Sequence, residues 1–371
     1  MIVVYNTDQI YKHGGIEKVM ATKANYLAQH ANYAVYIVTT EQGSHPACYP
    51  LQEQIALVDL GINYDRSKSY WSFRNLLKAV KHVWKQYKFY QKLQPDVVIS
   101  PNYNFDHYGL PFLLPKKTKL IKELHSSRFY EAAQRQKKGL KRTLFWKLQD
   151  WIEARYDAVV VLNPDEASFR PGPNVVVIPN PVDPIHETAT LTAPQVMAAG
   201  RLAPVKAFEQ LIHAWSGVHE RFPNWALHIY GDGYGSTAEE LQELITSLQL
   251  EQVVQLRPSV TNLPQTMLDY SIFALSSETE CFPTVLLEAL SVGVPVVSYD
   301  CPTGPRHIIT HGHDGLLVQD RKPEVLAQHL LELILDANKR NTMGANAKNT
   351  SRHYYPAVVM KSWLDLFQHN P

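Results

Sequence analysis

Two cations, Arg201 and Lys206, lie in the run Gly200-Arg201-Leu202-Ala203-Pro204-Val205-Lys206, directly after an apolar stretch that ends at Ala199. A guanidinium fork and an ammonium point charge at the end of a strand suit a diphosphate; the competing reading is two solvated loop charges. Two carboxylates follow in the block SSETECFPTVLLEALSVGVPVV, residues 276–297. Glu280 falls in a polar loop. Glu288 falls about one and a half turns into a helix expected to begin near Pro283, whose missing N–H is harmless at a first helical position. The N–H groups at such a helix start, with the helix dipole, attract phosphate or sugar oxygens. Carboxylates accept hydrogen bonds from sugar hydroxyls. Glu288 stands among Val285, Leu286, Leu287, Ala289 and Leu290. A carboxylate is costly to bury in such company without a partner, which favours a ligand-facing role over a surface charge. Gly231-Asp232-Gly233 is a further strand-end turn, weak by itself, where glycine permits close backbone approach.

The elements that must hold these groups are legible as apolar periodicity. Ile2–Tyr5, Ala34–Thr39, Ile55–Leu60, Asp96–Ser100, Lys119–Leu124, Ala158–Leu162 and Val175–Ile178 read as short buried strands. They are rich in Val and Ile and do not alternate with polar residues, as in strands covered on both faces. Helical stretches such as Gly15–Gln29 and Asn75–Lys92 separate them. Pro179-Asn180-Pro181-Val182-Asp183-Pro184 is a turn-rich linker. The pattern then restarts with strands at Gln195–Ala199, Ala226–Tyr230, Gln252–Leu256, Ser271–Leu275, Val294–Ser298 and Gly315–Val318. Pro323–Ala337 and Ala357–His369 read as the last helices. Alternating β and α elements predict two parallel-sheet α/β domains, 1–183 and 184–355, with 356–371 a C-terminal helix packing back on the first.

Length agrees with two domains: 371 residues exceed one ordinary core. The net charge of +1 hides an asymmetry, with 24 Lys and Arg against 15 Asp and Glu in residues 1–180 and 12 against 20 in residues 181–371. A basic half suggests an anionic surface or ligand on that side. Cys48, Cys281 and Cys301 form no C-x-x-C pair, so a reducing, cytoplasmic setting is expected. No signal-peptide pattern opens the chain, and no run of about 18 apolar residues marks a membrane span. No nucleic-acid motif accompanies the charge.

Taken in order along the chain, these residues resemble glycosyltransferase family 4, retaining enzymes of the two-Rossmann GT-B architecture. The resemblance rests on Gly14-Gly15 after the first strand, His125 after the fifth and Ile178-Pro179-Asn180 at the linker. It rests further on Arg201 and Lys206, Gly231-Asp232-Gly233, and Glu280-x7-Glu288 followed by Gly293-Val294-Pro295-Val296-Val297. It implies a nucleoside-diphosphate sugar in an interdomain cleft, its diphosphate held by Arg201 and Lys206. The donor sugar would meet Glu280 and the backbone of Cys281, Phe282, Pro283 and Thr284, with Val285 beside them. Glu288 would contact the ribose, and the base would lie near Leu256-Arg257-Pro258. Gly14 and Gly15 would let the first loop approach the phosphates, and His125 would lie near the anomeric carbon. The segment Asp300–Arg306 resembles the donor-side loop of polysaccharide-assembling relatives and favours a UDP-sugar, with GDP-mannose second. Ala207, Cys281 and Pro181 stand where the family often has glycine.

The leaving diphosphate needs electrostatic stabilisation, which Arg201, Lys206 and a helix start provide. With no Asp-x-Asp and no metal-ligand spacing, transfer is expected to need neither metal nor cofactor. The acceptor side is expected in the basic half. Lys78, Lys81, Lys85 and Lys88 fall three and four apart on one face of the helix 75–92, with Leu76, Val80, Val83, Tyr87 and Tyr90 on another and Trp84 adjoining. Lys137–Trp151 is a second basic, apolar stretch. These faces either bury their apolar stripe in the core or dock on an anionic membrane surface and receive a glycan or polyprenyl-linked acceptor. A sugar-nucleotide epimerase and a non-catalytic nucleotide-sugar-binding subunit are the alternatives to a transferase.

Overall fold

The computed structural model describes residues 1–29, 33–69, 72–101 and 104–369. The chain divides into two compact units, one of Met1–Pro181 with Val359–Pro371 and one of Val182–Val358.

Unit 1 runs β1 (Ile2–Asn6), α1 (Gly15–Gln29), β2 (Ala34–Thr39), β3 (Ala56–Asp59), α2 (Phe73–Leu93), β4 (Val97–Ser100), α3 (Phe105–Leu113), β5 (Lys119–Glu123), α4 (Phe129–Arg135), α5 (Leu140–Glu153), β6 (Ala158–Val161), α6 (Pro164–Ser168) and β7 (Val175–Val177). The sheet order is β3-β2-β1-β4-β5-β6-β7, with β1 parallel to both neighbours. Successive side chains of a strand leave on opposite faces, so Val3 and Tyr5 enter the core on one side and Val4 the core on the other. Both faces are covered, which is why the strands read as continuous apolar runs.

Unit 2 runs β8 (Gln195–Ala199), α7 (Phe208–His219), β9 (Ala226–Tyr230), α8 (Thr237–Ser247), β10 (Val254–Arg257), α9 (Leu263–Met267), β11 (Ile272–Leu275), α10 (Thr284–Ser291), β12 (Val296–Tyr299), β13 (Gly315–Val318), α11 (Pro323–Leu335) and α12 (Ala337–Ser351), before α13 (Pro356–Gln368). Its order is β10-β9-β8-β11-β12-β13, with β8 parallel to β9 and to β11. In such a sheet the strand order reverses between β8 and β11, and ligands bind beyond the strand ends at that point. The chain thus forms two Rossmann-like domains.

Two local expectations need correction. Helix α10 begins at Thr284, and Pro283 is its N-cap with extended backbone, φ −68° and ψ 105°, rather than the first helical residue. The stretch expected as one helix over Pro323–Ala337 breaks at Asp336, whose carboxylate accepts from the Lys339 N–H at 2.9 Å and starts α12. Helix α12 has no apolar stripe to betray it. It is held instead by close contact: a Cβ on Gly344 would lie 2.5 Å from the Gly293 carbonyl oxygen. Among the described residues, no helix is long and apolar enough to cross a membrane.

Helix α13 changes allegiance along its length. From Val359 it belongs to unit 1, where Met360, Trp363 and Phe367 join the core around Tyr5. The Lys119 ammonium fastens its end, donating to the Leu366 and His369 carbonyls at 2.7 Å each.

Candidate functional site

The loops after β8 and β11 are the two that flank the reversal of strand order in unit 2, and they are stitched together. The Glu278 N–H donates to the Val205 carbonyl at 2.9 Å. The Ser276 hydroxyl donates to the Lys206 carbonyl at 3.0 Å. Across this seam the Lys206 Nζ meets the Glu280 Oε1 at 2.6 Å, and the Ser277 hydroxyl donates to the same oxygen at 2.7 Å. Both side chains keep an edge in solvent, 22% for Lys206 and 12% for Glu280. A cation and an anion are therefore presented side by side where the topology places a ligand.

Their supports are built from backbone. Gly231 lies so close to the β8 end that a Cβ there would stand 1.9 Å from the Gly200 carbonyl oxygen, so the turn admits only glycine. The Leu202 N–H donates to the Asp232 carbonyl at 2.9 Å, which ties Arg201 to this turn; its guanidinium is exposed and lies 5.5 Å from the Tyr234 ring centroid. Arg257 closes β10 and Pro258 follows it, both exposed. The Asp232 carboxylate accepts from the Ser259 hydroxyl at 2.7 Å, joining the β9 and β10 ends.

On the other side the Glu280 carbonyl accepts from the N–H groups of Thr303 and Gly304 at 2.9 and 2.8 Å, and the Glu280 N–H donates to Pro302 at 2.9 Å. Gly304 packs against Pro283, with 2.6 Å from a notional Cβ to Pro283 Cδ. The Asp300–Arg306 loop thus clamps the segment that precedes α10. Cys281 and Phe282 are buried, Thr284 and Val285 half-buried, and Glu288 is 4% exposed on α10. Cys301 lies under the same loop, where burial, then the nearby Glu280 charge, push its thiol up to about 12. It stays a neutral thiol at physiological pH.

Unit 1 carries its own set. His125 follows β5, its Nε2 3.3 Å from the Glu123 Oε1. The buried Lys23 ammonium of α1 also donates to that oxygen and lies 4.2 Å from the Trp363 ring centroid. Burial pushes the Glu123 carboxyl up, but the charges of Lys23 and then His125 outweigh it and hold it at about 2. In the turn before α1 the Glu17 carboxylate folds against Gly14, 2.3 Å from where a Cβ would stand, and α1 begins at Gly15. Burial raises Glu17, while a hydrogen bond from Gln9 and the charge of His125 oppose it.

The lysines of α2 divide. Lys78 and Lys85 are half-buried and donate to the carbonyls of Asn63 and Leu60. Lys81 and Lys88 are exposed, with Lys88 Nζ 3.9 Å from the Trp84 ring centroid. The apolar stripe between them is not in the core.

Two family models match the chain in succession, Glycosyltransferase Family 4 over residues 13–185 and Glycosyl transferases group 1 over residues 185–350. The chain belongs to glycosyltransferase family 4. Along nearly its whole length this glycosyltransferase is 26% identical to the amylovoran biosynthesis glycosyltransferase AmsD of Erwinia amylovora, covering 97% of each chain. It is 34% identical over 219 residues to the exopolysaccharide phosphotransferase SCO2592 of Streptomyces coelicolor, but spans only 23% of that protein. The fold matches Anabaena HepE, solved with UDP-glucose, at a TM-score of 0.76 and 19% identity, covering 99% of each chain.

In this glycosyltransferase the departure at Ala207 has a visible consequence. Its φ of +46° and ψ of 43° are left-handed, a conformation natural to glycine and costing an L-residue about 1–2 kcal/mol. Sequence reasoning passed over the residues that hold the charged pair. Ser276 and Ser277 were visible as a polar doublet at a strand end. Gly304 acts through its backbone N–H, Thr303 through its N–H and its hydroxyl, which donates to the Glu280 carbonyl at 3.0 Å, and Glu123 and Lys23 sit within a strand and a helix, where no motif flags them.

Proposed function

We propose that this glycosyltransferase moves a hexose or N-acetylhexosamine from a UDP-sugar to a glycan or lipid-linked acceptor during surface polysaccharide assembly, with retention at the anomeric carbon and without a metal ion. The observation that carries the reading is the Lys206–Glu280 pair held by two seamed loops at the reversal of strand order. Within the pair each charge neutralises the other. An arriving diphosphate competes for the ammonium, with Arg201 adding a second cation, and the Glu280 carboxylate becomes free to accept from sugar hydroxyls. The exposed N–H groups at the start of α10 add partial positive charge.

As the bond from the anomeric carbon to the β-phosphate oxygen breaks, negative charge grows on the diphosphate where Lys206 and Arg201 stand, and these cations stabilise it. The acceptor hydroxyl oxygen bonds to the anomeric carbon from the face the diphosphate leaves, and its proton passes to the departing phosphate oxygen. No protein nucleophile is required. His125, steadied by Glu123, is assigned to the donor sugar, and Glu288 to the ribose. The family relation to the amylovoran enzyme supports polysaccharide assembly, and the fold shared with a UDP-glucose-bound protein supports UDP over GDP.

The test is incubation with a panel of UDP- and GDP-sugars, with and without glycan or polyprenyl-phosphate acceptors, followed by NMR of the product. Acceptor-dependent release of UDP with an unchanged anomeric configuration is expected. Conversion of the sugar without acceptor would reveal an epimerase, and nucleotide binding without turnover under any condition a non-catalytic subunit.

A further inference from the structure

Helix α2 is built inside out. Its buried positions are polar or hydrogen-bonded: Asn75, His82, Gln86 and Tyr90 point inward. The Gln86 amide donates to Asn6 at 3.0 Å, and the Tyr90 hydroxyl donates to the same oxygen at 2.6 Å. Outward, at steps of four and three, stand Phe73, Leu77, Val80, Trp84 and Tyr87, with Phe73 76% and Val80 70% exposed. A surface helix ordinarily turns its apolar stripe to the core. This one gives its inner face to a polar network and leaves the stripe exposed.

The stripe continues onto adjacent helices. Helix α3 packs against both α2 and α5. Its Phe112 is exposed and stacks on Trp151 of α5, ring centroids 5.6 Å apart. On α5 Leu144, Phe145 and Leu148 are exposed as well, while Gln149, Ile152 and Glu153 are buried. Helices α2, α3 and α5 of unit 1 thus all present large exposed apolar side chains, more than the singly scattered apolar residues normal on a protein surface.

Charge identifies the occupant. Helix α2 carries six cations and no acid; Lys81, Lys88 and Lys92 flank the stripe and are exposed. A second copy seated symmetrically on this face would set that cationic flank against itself. An anionic bilayer instead matches both features, phosphates for the lysines and acyl chains for the aromatic and aliphatic stripe. We infer that α2 and α5 of unit 1 dock on an anionic lipid surface with their apolar side chains inserted at the headgroup–acyl boundary. This inference goes beyond the transferase reading and stands apart from it.

Co-sedimentation with vesicles of phosphatidylglycerol and phosphatidylcholine, against phosphatidylcholine alone, tests it. The wild type is expected to bind the mixed vesicles at least about tenfold more tightly than the neutral ones. The double variant Val80→Glu, Trp84→Glu is expected to lose about tenfold or more on mixed vesicles, with its melting midpoint and UDP-sugar binding unchanged because both side chains face solvent. Wild type left in the supernatant at low salt, or a double variant that binds as well as wild type, would overturn the inference. So would sedimentation velocity showing a dimer that the same substitutions dissolve. Failure to bind UDP-sugars would sink the transferase reading and leave this one standing.

Discussion

Glu123 shows how a single buried charge supports a functional neighbour. It is shared between Lys23 and His125 inside the core of unit 1. Removing one member of a buried pair strands the other, at a cost of about 3–5 kcal/mol. Glu123→Gln is therefore expected to destabilise unit 1 by that amount at pH 7, read by urea unfolding. Because the folded carboxyl is held at about 2, below its usual 4.5, its contribution is complete above the unfolded value and fades as pH falls through the folded one. The gap between wild type and variant should shrink below about pH 4.5 and close near pH 2. A gap that stays constant from pH 7 to pH 3 would contradict the ion-pair account. Neither Lys23 nor Glu123 was legible as functional. Each is one charge within a strand or helix, and only the fold shows that they meet. His125, Arg201, Lys206, Glu280 and Glu288 stand out as candidates because they fall at strand ends or in a spaced motif.

At the scale of elements, legibility followed burial pattern. The thirteen strands of the described residues were readable, the central ones because parallel strands covered on both faces leave Val- and Ile-rich runs. Helix α12 was not, because its packing depends on small residues and backbone rather than an apolar stripe. Gly344→Val should drive side-chain atoms into the Gly293 carbonyl and cost unit 2 about 1–3 kcal/mol, measured by thermal unfolding; unchanged stability would show that α12 does not pack against Gly293 as described. Helix α2 was readable as amphipathic, but amphipathicity alone does not say which face turns inward. Only the buried Asn75, His82 and Gln86 settle that.

At the scale of the molecule, the two Rossmann-like units differ in how the chain closes them. Unit 2 is one continuous segment, whereas unit 1 needs residues from Val359 onward to complete its core. Trp363 is 1% exposed among Tyr5, Met20 and Leu27, and Trp363→Ala should cost about 3–5 kcal/mol. In a calorimetric scan the loss should fall on the unit 1 transition and leave unit 2 in place; a lowered unit 2 transition alone would contradict this division. The central claim is that unit 2 grips a diphosphate through the cation at 206. Isothermal titration of UDP-glucose into wild type and Lys206→Met, in buffer containing EDTA, tests it most directly. The account predicts binding by the wild type and an affinity at least about tenfold lower in the variant, the loss of one charge-assisted contact. Equal affinity of the two proteins, or wild-type binding that disappears when EDTA is added, would contradict it.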